Sequence, residues 1–172
     1  QLSLSPEPRH APSFRHALMQ NMVQGNTLML NRPAFELVIA AHAATGPVVM
    51  HDWWIYQLIT GAGGLVIYDP TPSVLYRQHQ SNVVGANSAF GSRFAGLRRM
   101  LDGTYRRWSR INLAALQAAR ERLTPENRAL LEDFAGLQGR LPERIAAMRR
   151  GRFFRHGRFS QGALWLAVLL GR

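Results

Sequence analysis

Beyond Asn87 the sequence settles into one texture, with apolar side chains at helical spacing and arginines between them: Phe94, Leu97 and Leu101, then Ile111, Leu113 and Leu116. A period near 3.6 brings such side chains to one face of a helix, so this half of the chain is constrained to be helical. Thr124-Pro125-Glu126 marks a fresh helix start ahead of Leu130, Leu131, Phe134 and Leu137. Proline fits there because the first helical turn leaves its N–H without a partner in any case.

The first half reads differently. Residues 1 to 13 hold three prolines and no periodicity, and are expected to be a loop. The apolar stretch Asn21 to Leu30, interrupted by Gly25, suits a strand with a bulge or a close backbone approach. Asn31 and Pro33 start a short helix through Phe35, Leu37 and Ile39. His51-Asp52-Trp53-Trp54 opens another, apolar nearly all round and hence expected to be buried, which ends at Gly61-Ala62-Gly63-Gly64. Leu65 to Tyr68 reads as a buried strand, Asp69 to Pro72 as a turn, and Val74 to His79 as a further extended segment. The expected class is therefore α/β, a short mixed sheet with helices over residues 1–86 followed by an Arg-rich helical extension over 87–172. The chain begins at Gln1, without an initiator Met or a leader, and reads as a piece of a longer protein.

Charge is placed unevenly. Residues 1 to 97 hold five Arg and four acids, whereas residues 98 to 172 hold sixteen Arg and six acids, so the net charge of +11 belongs to the tail. All 21 basic residues are Arg, a usage that reflects genome composition more often than chemistry. Such a tail attracts phosphates, whether of nucleic acid, anionic lipid or a lipid diphosphate. No helix-turn-helix, zinc-finger spacing or RNP-like motif accompanies it, so nucleic acid is not an expected partner. At the end, a basic patch (Arg149 to Arg158) precedes the apolar run Ala163 to Leu170, which is far below the ~20 residues that span a bilayer. It reads as a final helix docked on the core, with a peripheral membrane contact as the alternative. Without cysteine, disulfides, thiolate metal sites and Cys nucleophiles are excluded, and the expected location is the cytoplasm, at the inner face of the membrane if the tail touches it.

Few residues could carry chemistry. Of the four acids before position 97, Glu7 lies in the loose lead-in, Glu36 on the short helix, and Asp69 before Pro70 in a turn. Asp52 stands at the start of the second helix, where the positive end of the helix dipole complements a carboxylate. It reads either as an ordinary cap or as a base that takes the proton of an attacking hydroxyl, and spacing alone favours the cap. Trp53 and Trp54 could stack on a sugar, although adjacent residues face different sides of a helix. In Tyr76-Arg77-Gln78-His79 the alternation of an extended segment sets Arg77 and His79 on one face, suited to a diphosphate and its metal ion, though such a pair is more often a surface contact. His10, His16, His42 and His156 have no ligand-like spacing, and H-E-x-x-H is absent.

Taken in order, Gln20-Asn21 with Gly25 to Arg32, Val49 to Trp54, and Tyr76 to His79 with Ser81 to Ala86 resemble the second half of bacterial family 2 glycosyltransferases of the rhamnosyltransferase-like kind. The resemblance covers residues 14 to 87 closely and the helical tail loosely. It implies a GT-A nucleotide-sugar fold, a divalent cation (Mg²⁺ or Mn²⁺), and inverting transfer from a nucleoside diphosphate sugar to a saccharide or lipid-linked acceptor, in cell-surface polysaccharide synthesis. By the same resemblance Asp52 is the general base, and His51, Trp53, Trp54, Gly25 and Asn26 belong to the acceptor site. Arg77 and His79 belong to the diphosphate, with His79 at the metal. The Asp-x-Asp motif of such enzymes is absent, since Asp52, Asp69, Asp102 and Asp133 stand far apart. The chain alone is therefore expected to be inactive. The competing expectation is a non-catalytic basic module that binds an anionic membrane or nucleic acid.

Overall fold

The computed structural model describes residues 10–72, 74, 98 and 102–171, and among them every regular element is a helix. In chain order these are α1 (Phe14–Met19), α2 (Arg32–His42), α3 (His51–Gly61), α4 (Thr104–Ala118), a single 3₁₀ turn (Arg120–Arg122), α5 (Pro125–Gly136), α6 (Leu141–Gly151) and α7 (Arg158–Leu170). The expected α/β class and its GT-A sheet are thus corrected, because no strand occurs among the described residues.

Local chemistry explains the helices. Asn31 caps α2 by accepting the Ala34 N–H (3.0 Å), and Thr124 caps α5 by accepting that of Asn127 (3.3 Å). α3 ends in a Schellman motif: Gly64 N–H bonds Ile59 O (2.8 Å), Gly63 N–H bonds Thr60 O (3.2 Å), and Gly63 takes φ +82°, which favours glycine. The last carbonyls of α3 are met by the start of α5, since Asn127 Nδ2 donates to Gly61 O (2.9 Å) and Thr60 O (3.2 Å). At the far end, α7 is held by two arginines. Arg144 donates to Val168 O (2.7 Å) and Leu169 O (3.2 Å), and Arg106 to Gly171 O.

Local chemistry also explains the missing strands. In the stretch read as a strand from Asn21 to Leu30, Asn21 Oδ1 accepts the Val23 N–H (3.0 Å), and Thr27 N–H closes a turn on Gln24 O (3.0 Å). These bonds claim groups that a ladder would need. Leu65 to Tyr68 is irregular and open to solvent, with Leu65 and Ile67 more than 80% exposed. A strand is stabilised by a partner's backbone, and no described segment bonds to this one. The turn after it forms as expected, with Asp69 Oδ1 accepting the Thr71 N–H (2.8 Å) and that bond holding the Asp69 carboxyl below its usual pKa. Of Val74 to His79 only Val74 lies within the described residues.

One core draws on both sides of residue 87: Phe14, Leu18 and Met19 of α1 pack with Leu113, Leu116, Leu131, Phe134, Met148, Leu164 and Val168. A smaller cluster sets Ala41 of α2 and Trp54 and Leu58 of α3 against Ala115 and Ala119. Polar ties reinforce this packing, as Arg15 donates to Gly151 O (2.7 Å), Arg155 to Met19 O (2.6 Å) and Val49 N–H to Asn112 Oδ1 (3.1 Å). Helix α3 is therefore fixed along its length, and its first turn is placed against the loop at Gly25.

Candidate functional site

The first turn of α3 has no side-chain cap. Met50 occupies the N-cap position, and the carboxylate comes from Asp52, two residues further on. Asp52 Oδ1 accepts its neighbour's N–H, Trp53 N (2.7 Å), and Oδ2 accepts the N–H of Gly25 (3.1 Å) from 27 positions upstream. Both oxygens are thus oriented by backbone donors. Each carboxylate oxygen can accept two bonds, so each keeps capacity for a further donor such as a hydroxyl. Asp52 is half-buried, His51 beside it is exposed, and Asn26 is exposed on the turn that carries Gly25.

Gly25 is needed for space rather than for an unusual backbone angle. A Cβ there would lie 2.6 Å from Nε2 and 3.0 Å from Cε1 of His51. Because the His51 ring is exposed and can rotate away, Gly25→Ala is expected to cost less than about 1 kcal/mol. It keeps the N–H that binds Asp52 but displaces the imidazole. Chemical denaturation checks the first part and the His51 ring resonances the second; an unmoved ring would refute the contact.

The structure thus gathers Gly25, Asn26, His51 and Asp52 at one end of α3, and it sends both tryptophans elsewhere. Trp53 is 2% exposed, with Nε1 donating to Ala17 O (2.7 Å) and its ring edge-on to Trp108 at 6.4 Å between centroids. Trp54 is 4% exposed within the second cluster. Neither ring has a face free for a sugar in this chain. Two apolar faces of one buried helix explain both placements. Arg77 and His79 lie outside the described residues.

A second polar cluster had no signal in the sequence. His16 on α1 is fully buried, with Nδ1 3.1 Å from the Tyr56 hydroxyl of α3, and its ring lies 4.2 Å from that of His156 and 5.6 Å from that of Phe154. His10 adds a third imidazole, 5.0 Å from His156. Burial chiefly, with the charges of His156 and Arg155 next, pushes His16 down to about 4, and burial pushes the Tyr56 hydroxyl up to about 12. Among the described residues no three such side chains are arranged to hold a metal ion. Positions 16 and 156 are 140 residues apart, so no local pattern could have paired them.

Over 72 residues the chain is 31% identical to the dTDP-rhamnosyl transferase RfbG of Shigella flexneri, a match that covers 42% of this chain and 25% of that protein. The chain spans about a quarter of the length of the curated relative it matches. No protein-family model matches it, and no solved structure does. The similarity supports a relation to glycosyltransferases at that coarse level.

Proposed function

We propose that this chain is the acceptor-side part of an inverting glycosyltransferase, and that Asp52 is the base that activates the acceptor hydroxyl. The observation that carries the proposal is the carboxylate of Asp52 held by the Gly25 N–H at the head of α3, in a chain related over 72 residues to a rhamnosyl transferase. In the proposed reaction the acceptor oxygen bonds to the anomeric carbon from one side. The bond from that carbon to the diphosphate breaks on the other, and the nucleoside diphosphate departs with the electron pair. The acceptor's proton passes to Asp52. The backbone N–H groups of Gly25 and Trp53 keep the carboxylate aimed, so its orientation is fixed before the substrate arrives. His51 and Asn26, both exposed near Asp52, are the polar groups proposed to meet other hydroxyls of a saccharide or lipid-linked glycan.

The divalent cation expected with such enzymes finds no ligand set among the described residues. Its expected ligand His79, and Arg77 for the diphosphate, lie outside those residues. The direct test is release of nucleoside diphosphate by the whole protein, dependent on a hydroxyl acceptor, with a thymidine diphosphate sugar as the first donor to try. Acceptor-independent hydrolysis alone would overturn the reading. The 172-residue chain by itself is expected to show no tight binding of a nucleoside diphosphate sugar in calorimetry, with or without Mn²⁺, because hard cations want several oxygen ligands. Tight metal-dependent binding would contradict this.

A further inference from the structure

Helix α7 resolves the two readings of the tail in an unexpected way, because it is docked on the core and apolar on its outer side as well. Ala163, Leu164, Ala167 and Val168 are buried against the first core cluster. The opposite side presents Phe159 (58% exposed), Leu166 (43%), Leu169 (49%) and Leu170 (58%), with no charged residue from Phe159 to Gly171. Gly162 lies between Phe159 and Leu166 in a shallow groove, where an added Cβ would meet only open space. The helix cannot roll to hide this ridge, because the Arg144 and Arg106 guanidinium groups grip its last carbonyls. A fixed, exposed apolar ridge of this kind marks a surface that something covers.

The surrounding charge says what covers it. Residues 144 to 172 hold seven Arg and no Asp or Glu. Arg158 lines the groove itself, and Arg149 and Arg152 are exposed, with no carboxylate in ion-pair range among the described residues. A second copy of the chain laid on this face would bring Arg158 against Arg158, with no acid in residues 144 to 172 of either copy, which like-charge repulsion opposes. A bilayer surface meets both requirements at once, since acyl chains accept the apolar ridge and anionic headgroups accept Arg158 in its groove and the exposed arginines of the segment before it.

We propose that the outer ridge of α7, Phe159, Leu166, Leu169 and Leu170, with Arg158 in its groove and the exposed Arg149 and Arg152 in the segment that leads into the helix, is a docking surface for an anionic membrane leaflet. The helix lies in the interface and does not cross, in keeping with the absence of any membrane-spanning helix among the described residues. The proposal does not depend on the glycosyl-transfer reading.

The test is flotation of the chain with vesicles of phosphatidylcholine alone and with about a third phosphatidylglycerol. Binding is expected with the anionic vesicles only, and it falls at least about tenfold in Leu166→Ser/Leu169→Ser, in Arg149→Gln/Arg158→Gln, and in about 0.5 M salt. Circular dichroism checks that each variant keeps its helices. Should the apolar variant unfold, Phe159→Trp serves instead, with quenching by brominated acyl chains expected at that position. Absence of flotation, flotation indifferent to these changes, or an unquenched Trp at 159 would overturn the proposal. So would a dimer in sedimentation that Leu166→Ser/Leu169→Ser dissociates while vesicles bind nothing, since the covering partner would then be a second copy.

Discussion

Replacing Asp52 with Asn in the whole protein is expected to lower kcat by about 10²- to 10⁴-fold, the usual contribution of a positioned base, while leaving the fold in place. Asn keeps an acceptor oxygen that can serve Trp53 N–H or Gly25 N–H, but its amide nitrogen cannot accept the other. The structural cost is therefore about one hydrogen bond, on the order of 1 kcal/mol. The catalytic cost is larger because a neutral amide cannot take the acceptor's proton. Initial rates of sugar transfer alongside circular dichroism separate the two effects. Near-normal turnover in a folded Asp52→Asn enzyme would remove Asp52 from the reaction and leave it the role of tying the Gly25 loop to α3.

The second large effect is acid destabilisation through His16. In the folded chain this imidazole is faced by His156 and Arg155 from the segment after α6, by His10 from the lead-in, by Tyr56 of α3, and by Gln20 next to α1. Its folded pKa of about 4 lies below the unfolded value of 6.5. The unfolded chain thus binds the extra proton between those values, and the stabilisation is complete above pH 6.5 and lost as pH falls toward 4. The full loss is about 3 kcal/mol at 1.36 kcal/mol per unit. Urea midpoints from pH 7.5 to 4.5 are expected to fall more steeply for the natural chain than for His16→Asn, which removes the titrating ring but not the carboxylates common to both. Parallel curves would show that His16 is not the group responsible. Because the cluster joins α1 and α3 to the segment between α6 and α7, the loss should appear as loosening of the amino-terminal segment from the rest.

The helices were legible where their signals are local. Asn31, Pro33, Thr124 and the glycines after α3 each act within five residues of their own position, so the sequence carries the whole mechanism of those boundaries. Two helices without an expected start of their own, α1 and α6, carry the same kind of signal: Ser13 Oγ accepts the His16 N–H (3.2 Å), and Glu143 accepts the Arg140 N–H (2.7 Å). The strands were misread for the opposite reason. Hydrophobic β-branched residues such as those of Leu65 to Tyr68 show that a segment can pair, but pairing is decided by a second segment elsewhere in the chain.

The candidate site divides along the same line. Asp52 at the head of a helix, and the ordered motifs that resemble a glycosyltransferase, were present in the sequence, as were the periodic helices and the concentration of arginine in the tail. Only the tertiary structure decided that Gly25 reaches Asp52 across 27 positions, that both tryptophans turn inward, and that His16 meets His156 across 140. Only it decided, too, that α7 keeps one apolar face outside. Periodicity and capping act within a few residues through the backbone's own hydrogen bonds, whereas burial and side-chain contact depend on which distant segments pack together, and no single stretch of sequence encodes that choice.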